Sequence, residues 1–403
     1  MIGRFATVAE LVTRESPETP VHLLRPHRLA EAAAAFVGGF PGDVLFAVKC
    51  NAHPLVLETL RRQGVRHFDV ASPMEIRRVR ETVPDGVMFY HHPAKTPGQI
   101  ALARDLGVCH YAVDCVAELE KVVAHAGPDV VPMVRLAIPK GSGAVYDLST
   151  KFGAAPEAFV ATLRRARALG LAPGVTFHVG SQCLDPEAFR LGIRLACSLL
   201  EGAGVDVTLM DIGGGFPAYY RRTRAPALSA FFAVIDQARR EWAEPRGIRL
   251  LCEPGRALAA EGGSLLARVI LRKADAVYLN DGIFGGLTEV YWGKDELSLP
   301  FRAISPAGAL RTGNPVAVTA YGPTCDGNDR LPYPLELPED TVNGDFIEFN
   351  LIGAYGREMA ARYNGMASDA VAVVEADFAG HGEPEGARVI GTGPSFCVAR
   401  INA

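Results

Sequence analysis

The sequence predicts an α/β protein, a (β/α)8 TIM-like barrel followed by a second, β-rich C-terminal domain. Apolar runs of strand length alternate with helix-period stretches from residue 44 to residue 255, and eight such runs occur. The residues that least suit a buried strand all fall at or just past the C-terminal ends of those runs, where barrel active sites are built.

The eight runs are Val44–Lys49, His67–Ser72, Val87–His91, His110–Asp114, Val130–Ala137, Val175–Gly180, Val207–Gly215 and Ile248–Gly255. Between them lie helical patterns such as Leu55–Gln63 and Met74–Glu81. Runs apolar on both faces and joined by helices mean parallel strands, and eight within about 230 residues match a closed barrel. An open doubly wound sheet is the alternative. After Arg256 the texture changes to Gly/Pro-punctuated β-like runs, Leu265–Leu271, Pro315–Ala320, Phe346–Asn350 and Ala370–Val374. The expected division is a barrel over residues 20–258 and a β-rich domain over 259–403, joined by the N-terminal arm 1–19.

Composition narrows the function. A chain of 403 residues, 49% hydrophobic and 21% charged, is too apolar for disorder and long enough for two domains. Its net charge of −4 comes without a basic block, so neither nucleic acid nor an anionic membrane is an expected partner. The eight cysteines lack CxxC spacing, which argues against a disulfide framework and a structural zinc site. Charged residues break the first thirty positions, and no apolar run of about 18 residues occurs, so a cytoplasmic protein is expected.

Lys49 ends the apolar run Leu45-Phe46-Ala47-Val48. A lysine turned into a cleft is costly to desolvate, and its lowered pKa makes it a nucleophile toward an aldehyde, as in the Schiff base that holds pyridoxal phosphate (PLP). The bland alternative is a lysine reaching solvent along its own stem.

Asp211-Ile212-Gly213-Gly214-Gly215 follows a strand, and consecutive glycines let backbone N–H groups face a phosphate, although a tight turn needs them too. No Lys-Ser/Thr follows, so this is not a P-loop. Glu253 and Arg256, three apart at another strand end, offer a carboxylate for a pyridine nitrogen and a guanidinium for a phosphate, or a local ion pair. His178 lies on an otherwise apolar strand and reads as either a core histidine or a site residue. Cys325 and Asp326 sit in the Gly322–Gly327 loop, where an exposed thiol can donate a proton and the acid can meet a cationic substrate; a buried, inert cysteine is the alternative.

Taken in order, Phe46–Asn51, Phe68–Ser72, Leu148–Gly153, His178–Ser181, Gly213–Pro217, Glu253–Arg256, Gly322–Asp326 and Gly353–Tyr355 resemble the alanine-racemase-fold (fold type III) PLP-dependent decarboxylases that act on ornithine, lysine, diaminopimelate and arginine. The resemblance covers nearly the whole chain. It implies PLP as cofactor, with Lys49 as its Schiff-base lysine, His178 stacked on the ring and Glu253 at the ring nitrogen. It also implies a phosphate held by Ser181, Gly214, Gly215, Arg256 and Tyr355. Asp69 and Arg135 match polar residues around the lysine and cofactor, and Lys151 matches an intersubunit lysine. The resemblance further implies a homodimer with shared active sites, in which the partner supplies Cys325, the proton donor, and Asp326. No metal is implied.

Cys325-Asp326-Gly327 points to the ornithine branch, whose second acid for the distal amine lies in a Tyr-Asp-His segment. Here that segment reads Trp292-Gly293-Lys294. Glu289 or Asp295 can replace the acid after a small shift, or Lys294 can pair with a substrate carboxylate. His91-His92-Pro93 also departs from the family's Ala/Asn-Pro pattern. The expected reaction is decarboxylation of a basic diamino acid, with a carboxyl-bearing or conjugated amino acid as the alternative substrate. An amino acid racemase and a noncatalytic decarboxylase homologue are the readings from other classes.

Overall fold

A computed structural model describes residues 1–138, 144–146 and 151–378 of the protein. Leu148, Ser149 and Thr150 of one motif, and Cys397, lie outside the described residues.

Eight parallel strands close into a barrel. They are β1 (Asp43–Ala47), β2 (His67–Val70), β3 (Val87–Tyr90), β4 (His110–Val113), β5 (Val131–Leu136), β6 (Gly174–Phe177), β7 (Leu209–Asp211) and β8 (Arg249–Cys252). Sequential neighbours pair, and β8 returns to β1 through Leu251 opposite Asp43 and Cys252 opposite Val44. The open doubly wound alternative is therefore excluded. Each strand is short, so the closed ring brings eight loops to one rim.

The interior is packed. Leu45 on β1, Phe89 on β3, Met133 on β5 and Leu251 on β8 form one buried layer. Phe89 stacks on His110 with ring centroids 4.0 Å apart. Helices follow the strands where their caps predict. Ser72 accepts from Glu75 N at the start of helix Pro73–Thr82, and Thr96 and Gln99 form a reciprocal capping box on Pro97–Asp105.

Among the described residues, the second unit is a nine-stranded sheet. Gly263–Arg272 runs through it, flanked by Val21–Leu24 and Phe346–Asn350, and Val371–Val374 pairs with Val21–Leu24 on its other side. Arg4–Phe5 pairs with Val371–Val374, so the N-terminal residues add a strand to this sheet. Residues 21–24 also hydrogen-bond there and not in the barrel. Within the sheet, Arg25 and Arg302 share the buried Glu348 at 2.6 and 2.7 Å, and Ser264 donates to the same carboxylate at 2.6 Å. A buried carboxylate this well satisfied ties its strands together, because removing Glu348 would leave two arginines without their shared counter-charge.

Several strands are shorter than expected, and two of the shifts bear on the site. β1 ends at Ala47, and Lys49 lies in a one-turn 3-10 helix, Val48–Cys50, closed by Asn51 N donating to Val48 O at 3.0 Å. β6 ends at Phe177, one residue before His178, and Ser181–Cys183 forms a separate antiparallel pair with Ala144–Tyr146. In both places the chain leaves the pleat one or two residues early, which releases the functional side chain from strict in-and-out alternation.

Candidate active site at the barrel mouth

Lys49 opens to the rim, its side chain 43% exposed, and its Nζ donates to Asp69 Oδ2 at 3.0 Å. Asp69 comes from the end of β2 and is 1% exposed. The expectation of a lysine with a lowered pKa is not met. Desolvation does oppose the ammonium, but the carboxylates of Asp69 and Glu253 outweigh it, so the pKa is raised above the ordinary lysine value. Asp69 is itself raised, chiefly by burial and the nearby Glu253, with Lys49 pulling the other way.

His178 stands across the mouth. Its Nδ1 accepts from Gly180 N at 3.0 Å. Burial and then the charge of Arg135 lower its pKa to about 3, so the ring is neutral at physiological pH with its proton on Nε2. Arg135, from β5, lies 5.8 Å from the Phe152 ring centroid, and Lys151 lies 5.0 Å from the same ring.

The glycine run packs tightly against its neighbours. A Cβ on Gly214 would lie 2.6 Å from Glu253 O and 3.2 Å from His178 Nε2. Gly215 has φ +109° and packs against Gly180 O, a conformation closed to ordinary side chains. Glycine is required at both positions because neighbouring backbone carbonyls of the protein occupy the space a side chain would take.

Arg256 follows β8 and is 4% exposed. It donates to Tyr220 Oη at 2.8 Å and to Ser181 Oγ at 3.3 Å, and its guanidinium lies 5.0 Å from the Tyr355 ring centroid. Tyr355 adopts φ +62° and donates its backbone N–H to Cys50 O at 2.8 Å, which ties it to the Lys49 turn. Arg256 also meets both carboxylate oxygens of Glu289, one at 2.7 Å. Glu289, considered as a replacement acid, is thus already paired with an arginine. Asp295 faces Arg222 at 3.1 Å on the surface. Lys294 is exposed, in a left-handed conformation at φ +47°.

Glu253, 6% exposed, makes a very short contact from Oε1 to His91 Nδ1. His91 also lies 3.3 Å from Asp211 Oδ2. Burial opposes charge on His91, but Glu253 and Asp211 prevail and raise its pKa to about 10. Asp69, His91 and Glu253 converge within 4.8 Å. His91, Asp211, Glu289 and Tyr220 had been given no role in holding the cofactor. The departure at His91-His92-Pro93 was a signal for the first, whereas nothing local marks Tyr220.

Cys325 and Asp326 lie elsewhere in the chain's contacts. Cys325 is exposed and its N–H donates to Asn364 Oδ1 at 3.0 Å, while Asp326 accepts from Asn328 N at 2.8 Å.

The fold and this rim define a class, and similarity to known proteins fixes it. Residues 26–260 match the family model described as the pyridoxal binding domain of pyridoxal-dependent decarboxylases. The chain is 33% identical over 347 residues to an ornithine decarboxylase of Panagrellus redivivus, covering 79% of this chain and 77% of that one. It is 32% identical over 332 residues to a lysine/ornithine decarboxylase of Selenomonas ruminantium, covering 80% and 81%. Among solved structures, a Vibrio vulnificus lysine/ornithine decarboxylase complexed with putrescine superposes with a TM-score of 0.77 at 28% identity, covering 88% of this chain and 94% of that one. The arginine decarboxylase of Paramecium bursaria Chlorella virus superposes with 0.79 at 26% identity, covering 91% and 98%.

The chain belongs to the pyridoxal-dependent decarboxylase family. Within it, the chain falls with the ornithine decarboxylase branch, and its cofactor is pyridoxal phosphate.

The rim fits that cofactor. An amine reaches the mouth at Lys49, the glycine run turns closely beside His178, and Arg256 sets a guanidinium against the Ser181 hydroxyl. Among the described residues, no helix is long and apolar enough to cross a membrane.

Proposed function

We propose that the protein decarboxylates a basic diamino acid such as L-ornithine or L-lysine to the amine and CO2. The carrying observation is the convergence of Lys49, Asp69, His178 and Glu253 from the ends of β1, β2, β6 and β8. When bound, pyridoxal phosphate supplies the electron sink for the pair left as CO2 departs.

The chain's own residues do the rest. Lys49 would hold the cofactor through Nζ, and Asp69, 3.0 Å from Nζ, would accept or return the proton that Nζ carries. Glu253 would lie at the ring nitrogen and hold its proton there. His178, neutral because it is buried beside Arg135, would offer an uncharged ring to a cationic one and so add no repulsion. Ser181, Gly214, Gly215, Arg256 and Tyr355 hold the phosphate, and Arg135 adds a second positive charge at the rim.

We further propose a homodimer whose two chains share each site. In it, Cys325 of the facing chain returns a proton to the substrate carbon, and Asp326 receives the substrate's distal ammonium. The exposure of Cys325 in one chain supports this reading. Residues 20–258 are proposed as the cofactor-binding unit, its strand Val21–Leu24 lying in the sheet of the second unit, with 259–403 as the unit carrying Cys325 and 1–19 as an arm on the latter.

A second reading has its own support. Glu289 is engaged with Arg256 and Asp295 with Arg222, while Lys294 is exposed. A substrate whose distal end is a carboxylate, or which is conjugated, would meet Lys294 where a diamine would meet a like charge. CO2 release by PLP-loaded protein from L-ornithine, L-lysine, L-arginine, meso-diaminopimelate and carboxyl-bearing polyamine precursors separates the two. Turnover of ornithine or lysine supports the first reading. Turnover confined to the carboxylated substrates replaces it with the second.

A further inference from the structure

His91 is buried to 6% exposure inside the barrel, at the end of β3, and its Nδ1 faces two carboxylates, Glu253 Oε1 and Asp211 Oδ2. Asp211 is fully buried, and its Oδ1 accepts from Gly213 N at 2.8 Å. Both groups facing Nδ1 are acceptors, so that nitrogen must carry the hydrogen. His91 Nε2 is buried and makes no hydrogen bond. Asp69 and His110 are the other titratable groups that feel its charge.

Two buried carboxylates that face each other with no donor between them share a proton. A carboxyl group carrying that proton is a poor acceptor for a protonated ring nitrogen. A donor at Nδ1 resolves the conflict, because it satisfies Oε1 of Glu253 and leaves Oε2 for another partner.

We propose that His91 is a positioning residue for the cofactor's ring nitrogen, acting through Glu253: its Nδ1–H pins one carboxylate oxygen and separates Glu253 from Asp211, so that the other oxygen serves the ring. This rests on the reading that Glu253 faces that nitrogen. An aliphatic side chain at this position would fill space but supply no donor, so the effect is specific to a side chain with N–H at the place of Nδ1.

The test compares equilibrium affinity for pyridoxal phosphate with that for the analogue bearing CH in place of the ring nitrogen. Wild-type protein is expected to prefer pyridoxal phosphate by roughly tenfold or more, the scale of one charge-assisted hydrogen bond. His91→Ala should bring the two affinities within about twofold, and His91→Asn, whose amide N–H stands near Nδ1, should restore most of the preference. Should His91→Ala fail to fold, His91→Gln, whose amide lies beyond Nδ1, reads the same ratio. Preference retained in His91→Ala, or both ligands weakened equally with the ratio unchanged, overturns the proposal. No preference in wild-type protein overturns the placement of Glu253 itself, and with it this inference.

Discussion

Glu289 grips Arg256 through both carboxylate oxygens, and both residues are buried, at 6% and 4% exposure. The arginine proposed to hold the cofactor phosphate thus has a counter-charge of its own. In cofactor-free protein this pair keeps a guanidinium stable in the interior, and a phosphate arriving beside Ser181 supplies a second anion. Removing one partner of such a pair costs about 3–5 kcal/mol because the other charge is left unpaired. Glu289→Ala is therefore expected to destabilise the cofactor-free protein by about that amount, and less when pyridoxal phosphate is bound, since its phosphate replaces the lost anion. Thermal unfolding with and without cofactor measures this. An equal loss in both states would mean that Glu289 merely packs.

Asp69 sets the protonation of Lys49. The raised pKa of the lysine comes from carboxylates that outweigh desolvation, and Asp69 is the nearer of them at 3.0 Å. Asp69→Asn removes that charge and should lower the lysine pKa. The free amine, which is the form that attacks an aldehyde, is then populated at lower pH. The pH at which cofactor-free protein takes up pyridoxal phosphate half-maximally fast should move down by at least about one unit. An unmoved profile would show that Glu253 alone holds the charge.

His22 links stability to acid. It is buried in the sheet, and desolvation followed by the charge of Arg357 lowers its pKa to about 4 from 6.5. The unfolded chain binds a proton between those values and the folded chain does not, so stability falls as pH drops from about 6.5 to about 4. The contribution is on the order of 3 kcal/mol. Glu75 and Asp281, both raised to about 7 chiefly by burial, act with the opposite sign, costing stability as pH rises toward 7. The wild-type minus His22→Leu difference in urea midpoints isolates the histidine, and it should change across that window. A flat difference would mean that His22 is protonated in the folded protein.

The shared site predicts complementation. Lys49→Ala and Cys325→Ala chains should each be inactive alone. Mixed and re-equilibrated in equal amounts, they should regain about a quarter of wild-type activity, because half the dimers are mixed and each has one intact site of two. No recovery despite proven exchange would place both residues of a site in one chain.

Much of the barrel was legible because its strands are buried on both faces, so apolar runs such as Val44–Ala47 stand out against polar helices. Several rim residues were legible because a lysine, a histidine or a glycine run at the end of such a strand contradicts its surroundings. Lys49 with Asp69, and Ser181 with Arg256 and Tyr355, are joined in the fold. The pairings that set charge were not legible. His91 and Glu253 are 162 residues apart, and Glu289 and Arg256 are 33 apart on different elements, so only closure of the barrel and docking of the sheet bring them together. The sign of the Lys49 shift was misread for the same reason, since the apolar strand was visible and the converging carboxylates were not.

The most direct measurement is the ratio of CO2 to amine formed from carboxyl-labelled L-ornithine and L-lysine by the PLP-loaded protein, with Lys49→Ala as control. The account predicts one CO2 per amine, dependent on added cofactor and lost in Lys49→Ala. Racemised amino acid without CO2, or CO2 release that persists in Lys49→Ala, would contradict it.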